Sequence, residues 1–358
     1  MRSRVECLNF SELTRTDRAL WTNFQAADPG LASPYFSIGY FDAVEAVRPG
    51  IKVMRFYQHD RPAAYWPFRN GPFNTARPVA GQMDDLHGII AHPTVAVDLG
   101  QPAVRQQIGG FAFSAIPYQQ QRHGLSGQAG DGNHVIDLSA GFAAWQASRA
   151  ATSANFRREW RKAEKLLSAE TTSIRHDVID PQSFDRLIDL KRNAYAEAGH
   201  FDIFHLNWPR LLLERLSKSG DDNARGVLST LSIHGETAAM VYCLRSATAL
   251  HYWFPAYETK FAKHKPGLAL LFTLAKWAAL EGLLELHLGL GSVQYKRQMS
   301  SWMMPVRSGA LALSPVQQYA TEFTAWGRRI EGRNRVSAMP AKYTRKYERM
   351  ALSGSWRA

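Results

Sequence analysis

The pattern of apolar and polar positions predicts helices and strands throughout the first half of the chain. Helical spacing predicts helices over residues 20–24, 36–47, 101–113 and 139–167. Period-two alternation predicts strands over residues 52–58, 63–68, 115–118 and 134–138. The turn residues Asp60-Arg61-Pro62 separate the first two strands, so we expect these two to form a hairpin.

The second half repeats this style of patterning more regularly. Strands are predicted over residues 171–176, 227–233, 237–244, 250–255 and 284–288. Helices are predicted over residues 181–198, 208–217 and 266–281. Both halves run from strand through helices and antiparallel strands to a helix and a final strand. The sequence therefore predicts an α+β fold of two similar tandem domains, residues 1–148 and 149–315, with a tail over 316–358.

Composition supports an ordinary globular protein. The chain has 358 residues, of which 45 % are apolar and 21 % charged, enough to bury two cores. Its two cysteines, Cys7 and Cys243, lie far apart and form no metal-binding pair, which fits a reducing cytoplasm. No stretch approaches the roughly 18 apolar residues of a membrane span, and residues 1–10 show no signal peptide. We expect a cytoplasmic protein whose membrane contact, if any, is peripheral.

The net charge of +12 favours anionic partners, or serves only for solubility. Coenzyme A, a nucleotide-linked substrate, tRNA and an anionic membrane surface all fit this charge. The tail contributes much of it, with nine Lys or Arg residues between Arg328 and Arg357 against Glu331 and Glu348. Tail aromatics interleave with these cations, as in segments that grip nucleic acid or membrane. The simpler interpretation, which we prefer, is a solvated basic helix that packs through its aromatics.

Fixed spacings between residues 256 and 302 carry a family resemblance. The pattern reads Ala256-Tyr257-x-x-x-Phe261-Ala262-x-x-x-Pro266-Gly267-x-x-Leu270-Leu271, then Trp277-Ala278, Glu281-Gly282, Leu286-x-x-Gly289-x-Gly291 and Tyr295-Lys296. Weaker matches are Ser33-Pro34-Tyr35-Phe36 and Asn155-Phe156-Arg157-Arg158-x-x-Arg161-Lys162. Over residues 33–304 the chain thus resembles the CelD/BcsL cellulose-biosynthesis acetyltransferases, GNAT-superfamily proteins related to the FemAB aminoacyl transferases.

The resemblance implies tandem GNAT-like domains, of which the second binds acetyl-CoA or another acyl-CoA. It also implies a sugar or cell-envelope polysaccharide precursor as acceptor, attacked directly without a covalent enzyme intermediate, at the inner face of the membrane. One departure is that the family carries an acid on the strand before the glycine pair, where this chain reads His287-Leu288-Gly289. Two alternatives stay open: a FemAB-like aminoacyl transferase that uses aminoacyl-tRNA, and a non-catalytic glycan-binding module.

The candidate cofactor site is the loop before the helix over 266–281. The loop Lys263-His264-Lys265-Pro266-Gly267 would present backbone amides and positive charge to a pyrophosphate. The resemblance implies contacts from Lys263, Lys265, Gly267, Leu268 and Ala269, and from Trp253 on the strand before the loop. The alternative is an ordinary helix start with solvated lysines, and a Trp253 that only packs.

Candidate catalytic residues lie on two loops. Tyr295 is suited to give a proton to the leaving thiolate, and Lys296 to pair with a phosphate or carboxylate; the alternative is a turn with a packed Tyr295 and an exposed Lys296. In the first domain, Asp84 and His87 are the candidates for a base on the acceptor side, although an Asx-type turn without a chemical role is the default interpretation. The histidines of His200-Phe201-Asp202-x-Phe204-His205 match no metal-ligand spacing, so we expect no metal.

Overall fold

The computed structural model describes residues 4–71, 74–291 and 293–313, without the side chain of Gln82. The strands are β1 Val5–Asn9, β2 Ile51–Gln58, β3 Arg61–Asn70, β4 Thr75–Arg77, β5 Ile90–Ala91, β6 Gly110–Pro117, β7 Gln128–Ala129, β8 Asn133–Asp137, β9 Thr172–Arg175, β10 Arg225–Ile233, β11 Glu236–Arg245, β12 Ala249–Tyr257, β13 Glu285–Leu290, β14 Trp302–Met304 and β15 Val306–Ala312. The helices are α1 Arg15–Ala27, α2 Ile38–Val47, α3 Pro102–Gln107, α4 Phe142–Thr152, α5 Ala154–Leu167, α6 Pro181–Glu197, α7 Asn207–Ser217, α8 Pro266–Leu280 and α9 Gln294–Met299.

The described chain divides into two compact units, each built on one sheet. Unit 1 contains residues 4–31, 44–130 and 306–313, and unit 2 contains residues 32–43 and 131–305. No helix among the described residues is long and apolar enough to cross a membrane. The α+β class is confirmed, with a mixed sheet and flanking helices in each unit. The expected basic tail over 316–358 lies outside the described residues.

The sheet of unit 1 has the order β1-β2-β3-β4-β6-β15-β7, with β5 paired to β3. The predicted hairpin is confirmed as β2 and β3, and its turn lies one residue earlier because His59 and Asp60 adopt left-handed φ values of 51° and 59°. Helix α1 begins at a capping box, in which the Thr14 side chain accepts the Asp17 N–H at 3.1 Å and the Asp17 carboxylate accepts the Thr14 N–H.

The predicted helix over residues 101–113 was wrong in its second half. Helix α3 ends at Gln107, and residues from Gly110 onward form β6, which pairs in parallel with β4 and antiparallel with β15. The Gly109-Gly110 pair disfavours helix continuation, and the aromatic residues Phe111 and Phe113 are buried on the sheet. Sheet pairing therefore overrides the helical spacing there.

The sheet of unit 2 has the order β14-β8-β13-β12-β11-β10-β9. Every neighbouring pair is antiparallel except β12 and β13, which run parallel and are joined through α8. Successive side chains of β11 face opposite sides: Val241 and Cys243 belong to the core under α5 and α8, whereas Tyr242 contacts Phe184 of α6 and donates to the Leu213 carbonyl of α7. Unit 2 is thus a sheet between two helical layers.

The long helical region predicted over 139–167 is two helices. Helix α4 ends at Thr152, and Ser153 adopts an extended conformation whose hydroxyl accepts the Phe156 N–H at 3.1 Å. Ser153 is therefore the N-cap of α5, a position that serine favours over the helix interior.

The division into units does not follow chain order. We expected a boundary between residues 148 and 149, but β8 pairs with β13 and β14 and so lies in unit 2. Strand β15, which pairs with β6 and β7, lies in unit 1. Non-local strand pairing decides both memberships, and linear patterning carries no information about it.

Candidate active site

Strands β12 and β13 separate in the middle of the unit 2 sheet. Their pairing runs from Ala249 with Glu285 to His251 with His287, while β12 continues to Tyr257 and β13 to Leu290. Beyond His287, β13 also shifts register against β8, where Gly289 has a φ of 77°. Beyond His251 and His287 the two strands no longer pair, and we call the space between residues 252–257 of β12 and 288–290 of β13 the strand gap.

Helix α8 begins beside the end of β12 with an uncapped N-terminus. Lys265 is its N-cap in a left-handed conformation, φ 51°, and no side chain caps the first turn. Pro266 carries no N–H, and the N–H groups of Leu268 and Ala269 donate to the Lys265 carbonyl at 3.0 and 3.2 Å. A Cβ added to Gly267 would meet nothing within 4 Å. The first turn therefore borders open space at the positive end of the helix dipole.

The two candidate lysines of this loop differ in their surroundings. Lys263 is exposed, whereas the Lys265 ammonium lies 2.8 Å from Oε2 of Glu159, a carboxylate on α5 that is 4 % exposed. Burial raises the pKa of Glu159, but the hydrogen bond and charge of Lys265 outweigh it and hold that pKa below its ordinary value. Lys265 consequently fastens the loop to α5 and brings less net charge to the site than Lys263.

The other predicted cofactor residues contribute backbone or packing. Leu268 and Ala269 pack against the core of unit 2, so only their main chain faces the helix start. Trp253 is 9 % exposed, and its ring lies against those of Tyr35, Tyr40, Tyr242 and Phe254. These contacts are those of a core aromatic at the base of the strand gap.

A polar cluster that sequence reasoning missed lies where β12 and β13 separate. His287 is fully buried, its Nε2 lies 2.7 Å from Oε2 of Glu285, and its Nδ1 lies 2.7 Å from the side-chain nitrogen of Asn133. The ring of His251 lies 6.0 Å from that of His287. If the Asn133 amide donates to Nδ1, Nε2 carries the proton and donates to Glu285.

The departure noted in the sequence therefore has a structural counterpart. The family's expected acid is absent beside Gly289, but Glu285 places a carboxylate on the same face of β13 as His287, two residues before it. That carboxylate is 25 % exposed. The i, i+2 spacing of Glu and His on a predicted strand was the signal that could have identified the pair.

Tyr295 and Lys296 lie in the first turn of α9, after β13. Tyr295 packs against the core of unit 2, and burial raises its pKa to about 12, so its phenol keeps its proton at neutral pH. The Lys296 ammonium donates to the Leu290 carbonyl at 2.6 Å, at the end of β13. Both residues therefore border the β13 side of the strand gap.

Asp84 and His87 lie in unit 1, in a segment that follows a 3-10 turn over Gly81–Met83. The Asp84 carboxylate accepts the Ala80 N–H at 2.7 Å, which matches the turn alternative. His87 is buried, and desolvation lowers its pKa to about 3 despite a hydrogen bond to the Asp84 backbone. An imidazole of this kind is a weak proton acceptor at neutral pH.

No cluster of three or more His, Cys, Asp or Glu side chains suited to a metal occurs in the described part of the chain.

Comparison with known proteins gives the family that part of the chain resembles. Residues 150–297 match the family model of the acetyltransferase (GNAT) domain. This range includes β12, α8 and β13. Among curated protein sequences, none matches. The FemX crystal structure is similar at 9 % identity with a TM-score of 0.59, covering 88 % of this chain and 99 % of FemX.

A second similar structure is the C-terminal domain of a protein described as a lysylphosphatidylglycerol synthetase from Agrobacterium fabrum. It is 10 % identical with a TM-score of 0.54, and the alignment covers 87 % of this chain and 95 % of that domain. At these identities the two structures establish the fold, which is a tandem GNAT-like arrangement. Residues 150–297 therefore resemble an acetyltransferase (GNAT) domain, and this match supports an N-acyltransferase.

Proposed function

We propose that the enzyme transfers an acyl group, acetyl in the first instance, from coenzyme A to an amine or hydroxyl of a sugar or cell-envelope polysaccharide precursor. The observation that carries this proposal is the strand gap beside the uncapped start of α8. The acceptor class follows from the resemblance to the CelD/BcsL acetyltransferases. Residues 316–358 would supply any peripheral contact with the inner face of the membrane.

In this proposal the donor lies along α8 and into the strand gap. Its pyrophosphate meets the N–H of Gly267 at the positive end of α8, with Lys263 as the exposed cation and Lys265 held by Glu159. The pantetheine arm enters between β12 and β13 and bonds to main-chain amides. An amide of β12 also stabilises the oxyanion that forms on the thioester carbonyl.

The chemistry is a direct acyl transfer. The acceptor nitrogen or oxygen attacks the thioester carbonyl, the C–S bond breaks, and coenzyme A leaves as a thiolate. The Glu285 carboxylate takes the proton of the acceptor, while His287 donates to that carboxylate and Asn133 fixes the orientation of the His287 ring. Tyr295 keeps its proton well above neutral pH and is suited to protonate the thiolate, and Lys296 stays near the end of the gap.

The test is release of free thiol from acetyl-CoA by the full chain, with glucosamine and glucose as amine and hydroxyl acceptors and with glucosamine 6-phosphate and glucuronate as their acidic counterparts. Acceptor-dependent thiol release, with the acetylated sugar identified by mass spectrometry, is the expected result. Thiol release with no acetylated product for any sugar, despite measured acetyl-CoA binding, would contradict the sugar acceptor. Absence of acetyl-CoA binding would contradict the donor.

A second candidate is aminoacyl transfer from charged tRNA, and the surface of α5 favours it. Helix α5 exposes five basic side chains, which are Arg157, Arg158, Arg161, Lys162 and Lys165. It exposes one acidic side chain, Glu164. Such a surface suits a polyanion. Under this candidate, tRNA binding weakens steeply with salt and coenzyme A does not bind. Salt-insensitive or undetectable tRNA binding would exclude it.

A further inference from the structure

Lys191 on α6 lies partly buried against β12, on the side of the sheet opposite α8. Its ammonium lies 3.3 Å from the Pro255 carbonyl, 4.9 Å from the ring centre of Tyr195 and 5.9 Å from that of Phe254. Burial lowers the pKa of this ammonium. The surroundings thus disfavour the charged form of Lys191, although its ammonium has N–H groups that can donate further hydrogen bonds.

Lys191 also differs from the other cations of its helix. Arg186 pairs with Glu258, and Arg192 pairs with Asp202 at 2.8 Å. Lys191 forms no ion pair with any described residue, and one carbonyl occupies only one of its three donors. The two ring faces attract the charge weakly compared with a carboxylate. A bound anion would complete this environment.

The position of Lys191 relates it to the reaction. Phe254 and Pro255 lie in the part of β12 that has left β13, so the ammonium is next to the strand gap. Phe254 pairs in register with Tyr242, whose side chain faces α6 and α7, whereas α8 covers the other face. An anion at Lys191 is therefore a different group from the pyrophosphate at the start of α8.

We infer that Lys191 binds an acidic group, a carboxylate or a phosphate, of the acceptor. This inference rests on the proposed function and narrows its substrate class to amines or alcohols that carry a negative charge. Phosphate and carboxylate sugars share this chemistry, and Lys191 selects them against neutral sugars. Binding of the anion stabilises the protonated form of Lys191 and fixes the acceptor beside the thioester.

The experiment follows Lys191 directly by NMR in the full chain labelled with carbon-13 at lysine Cε. The Lys191 signal is assigned by its loss in Lys191→Met. Its titration midpoint is measured with two matched pairs of ligands, glucosamine 6-phosphate against glucosamine and glucuronate against glucose. We expect at least one sugar with an added acidic group to raise the midpoint and to bind about tenfold or more tightly than its counterpart without that group.

Control variants separate charge from folding. Lys191→Met should abolish the preference, Lys191→Arg should retain part of it, and Lys276→Met, at an exposed position on α8, should leave it unchanged. A Lys191 midpoint that neither anionic sugar moves at roughly 10 mM overturns the inference. If the midpoint does not move while acetyl-CoA still binds, only the inference fails. If the midpoint moves but acetyl-CoA does not bind, the proposed donor fails and the anion site stands.

Discussion

The ammonium of Lys265 lies 2.8 Å from Oε2 of Glu159, and this ion pair joins the start of α8 to α5. Because Glu159 is almost fully buried, Lys265→Met should lower the free energy of unfolding by about 1–2 kcal/mol, whereas Lys263→Met at an exposed position should change it by under about 0.5 kcal/mol. A double-mutant cycle with Glu159→Gln, measured by urea unfolding, should give a coupling of about 1 kcal/mol. A coupling near zero would show that the pair does not hold the loop.

The Glu285–His287 pair predicts a separation of turnover from donor binding. Glu285→Gln and His287→Gln should each lower kcat by about 10²–10³-fold, because the first removes the proton acceptor and the second removes the group that positions it, and both should leave the acetyl-CoA Kd within about threefold. Glu164→Gln, an exposed change on α5, is the matched control. Steady-state thiol release and calorimetry measure the two quantities. Full turnover in Glu285→Gln would remove this residue from the mechanism.

Arg55 in unit 1 predicts an acid-sensitive stability. Its guanidinium bonds to Glu6 at 2.5 Å and to both oxygens of Asp17 at 2.8 and 2.9 Å. Hydrogen bonds from Arg55 and Tyr57 lower the pKa of Glu6 to about 2. Burial raises the pKa of Asp17, but hydrogen bonds from Thr14 and Arg55 outweigh burial and lower this pKa below its ordinary value. The stabilisation is therefore complete above the unfolded pKa values, near 4, and is lost as pH falls toward 2.

The variant Arg55→Met should lower the unfolding free energy by roughly 3 kcal/mol at pH 7, because it leaves the buried Asp17 carboxylate without its cation. Its deficit relative to wild type should shrink between pH 4 and pH 2, since protonation removes the charges that Arg55 compensates. Urea unfolding monitored by tryptophan fluorescence at several pH values measures this. A deficit that is independent of pH would contradict the electrostatic cause.

Local patterning predicted most elements of unit 2, including α8. The apolar residues there follow clear helical or alternating spacing, turn residues separate the elements, and a proline marks the start of α8. It failed at Gly110 and at the domain boundaries, where strand pairing between distant segments decides the outcome. The helix start at Gly267 was predicted from the sequence. The Lys265–Glu159 pair was not, because 106 positions separate its partners.

The candidate base was missed for a related reason. The family resemblance predicts an acid beside Gly289, whereas the acid is Glu285, whose contact with His287 depends on β13 being a strand at that position. Asn133 joins the same cluster from β8, 154 positions away. Lys191 escaped notice because a single lysine in an amphipathic helix has the appearance of a solvated residue until β12 is packed over it.

Gly267 allows the most direct test of the account. A calorimetric titration of the full chain with acetyl-CoA compares wild type with Gly267→Ala and with Gly220→Ala, a matched control whose added Cβ also meets nothing within 4 Å. The account predicts binding by wild type and Gly220→Ala, and at least about tenfold weaker binding by Gly267→Ala, whose unfolding free energy should be unchanged or higher by up to about 1 kcal/mol. No binding by wild type at roughly 1 mM ligand, or equal affinity in all three proteins, would contradict a coenzyme A site at the start of α8.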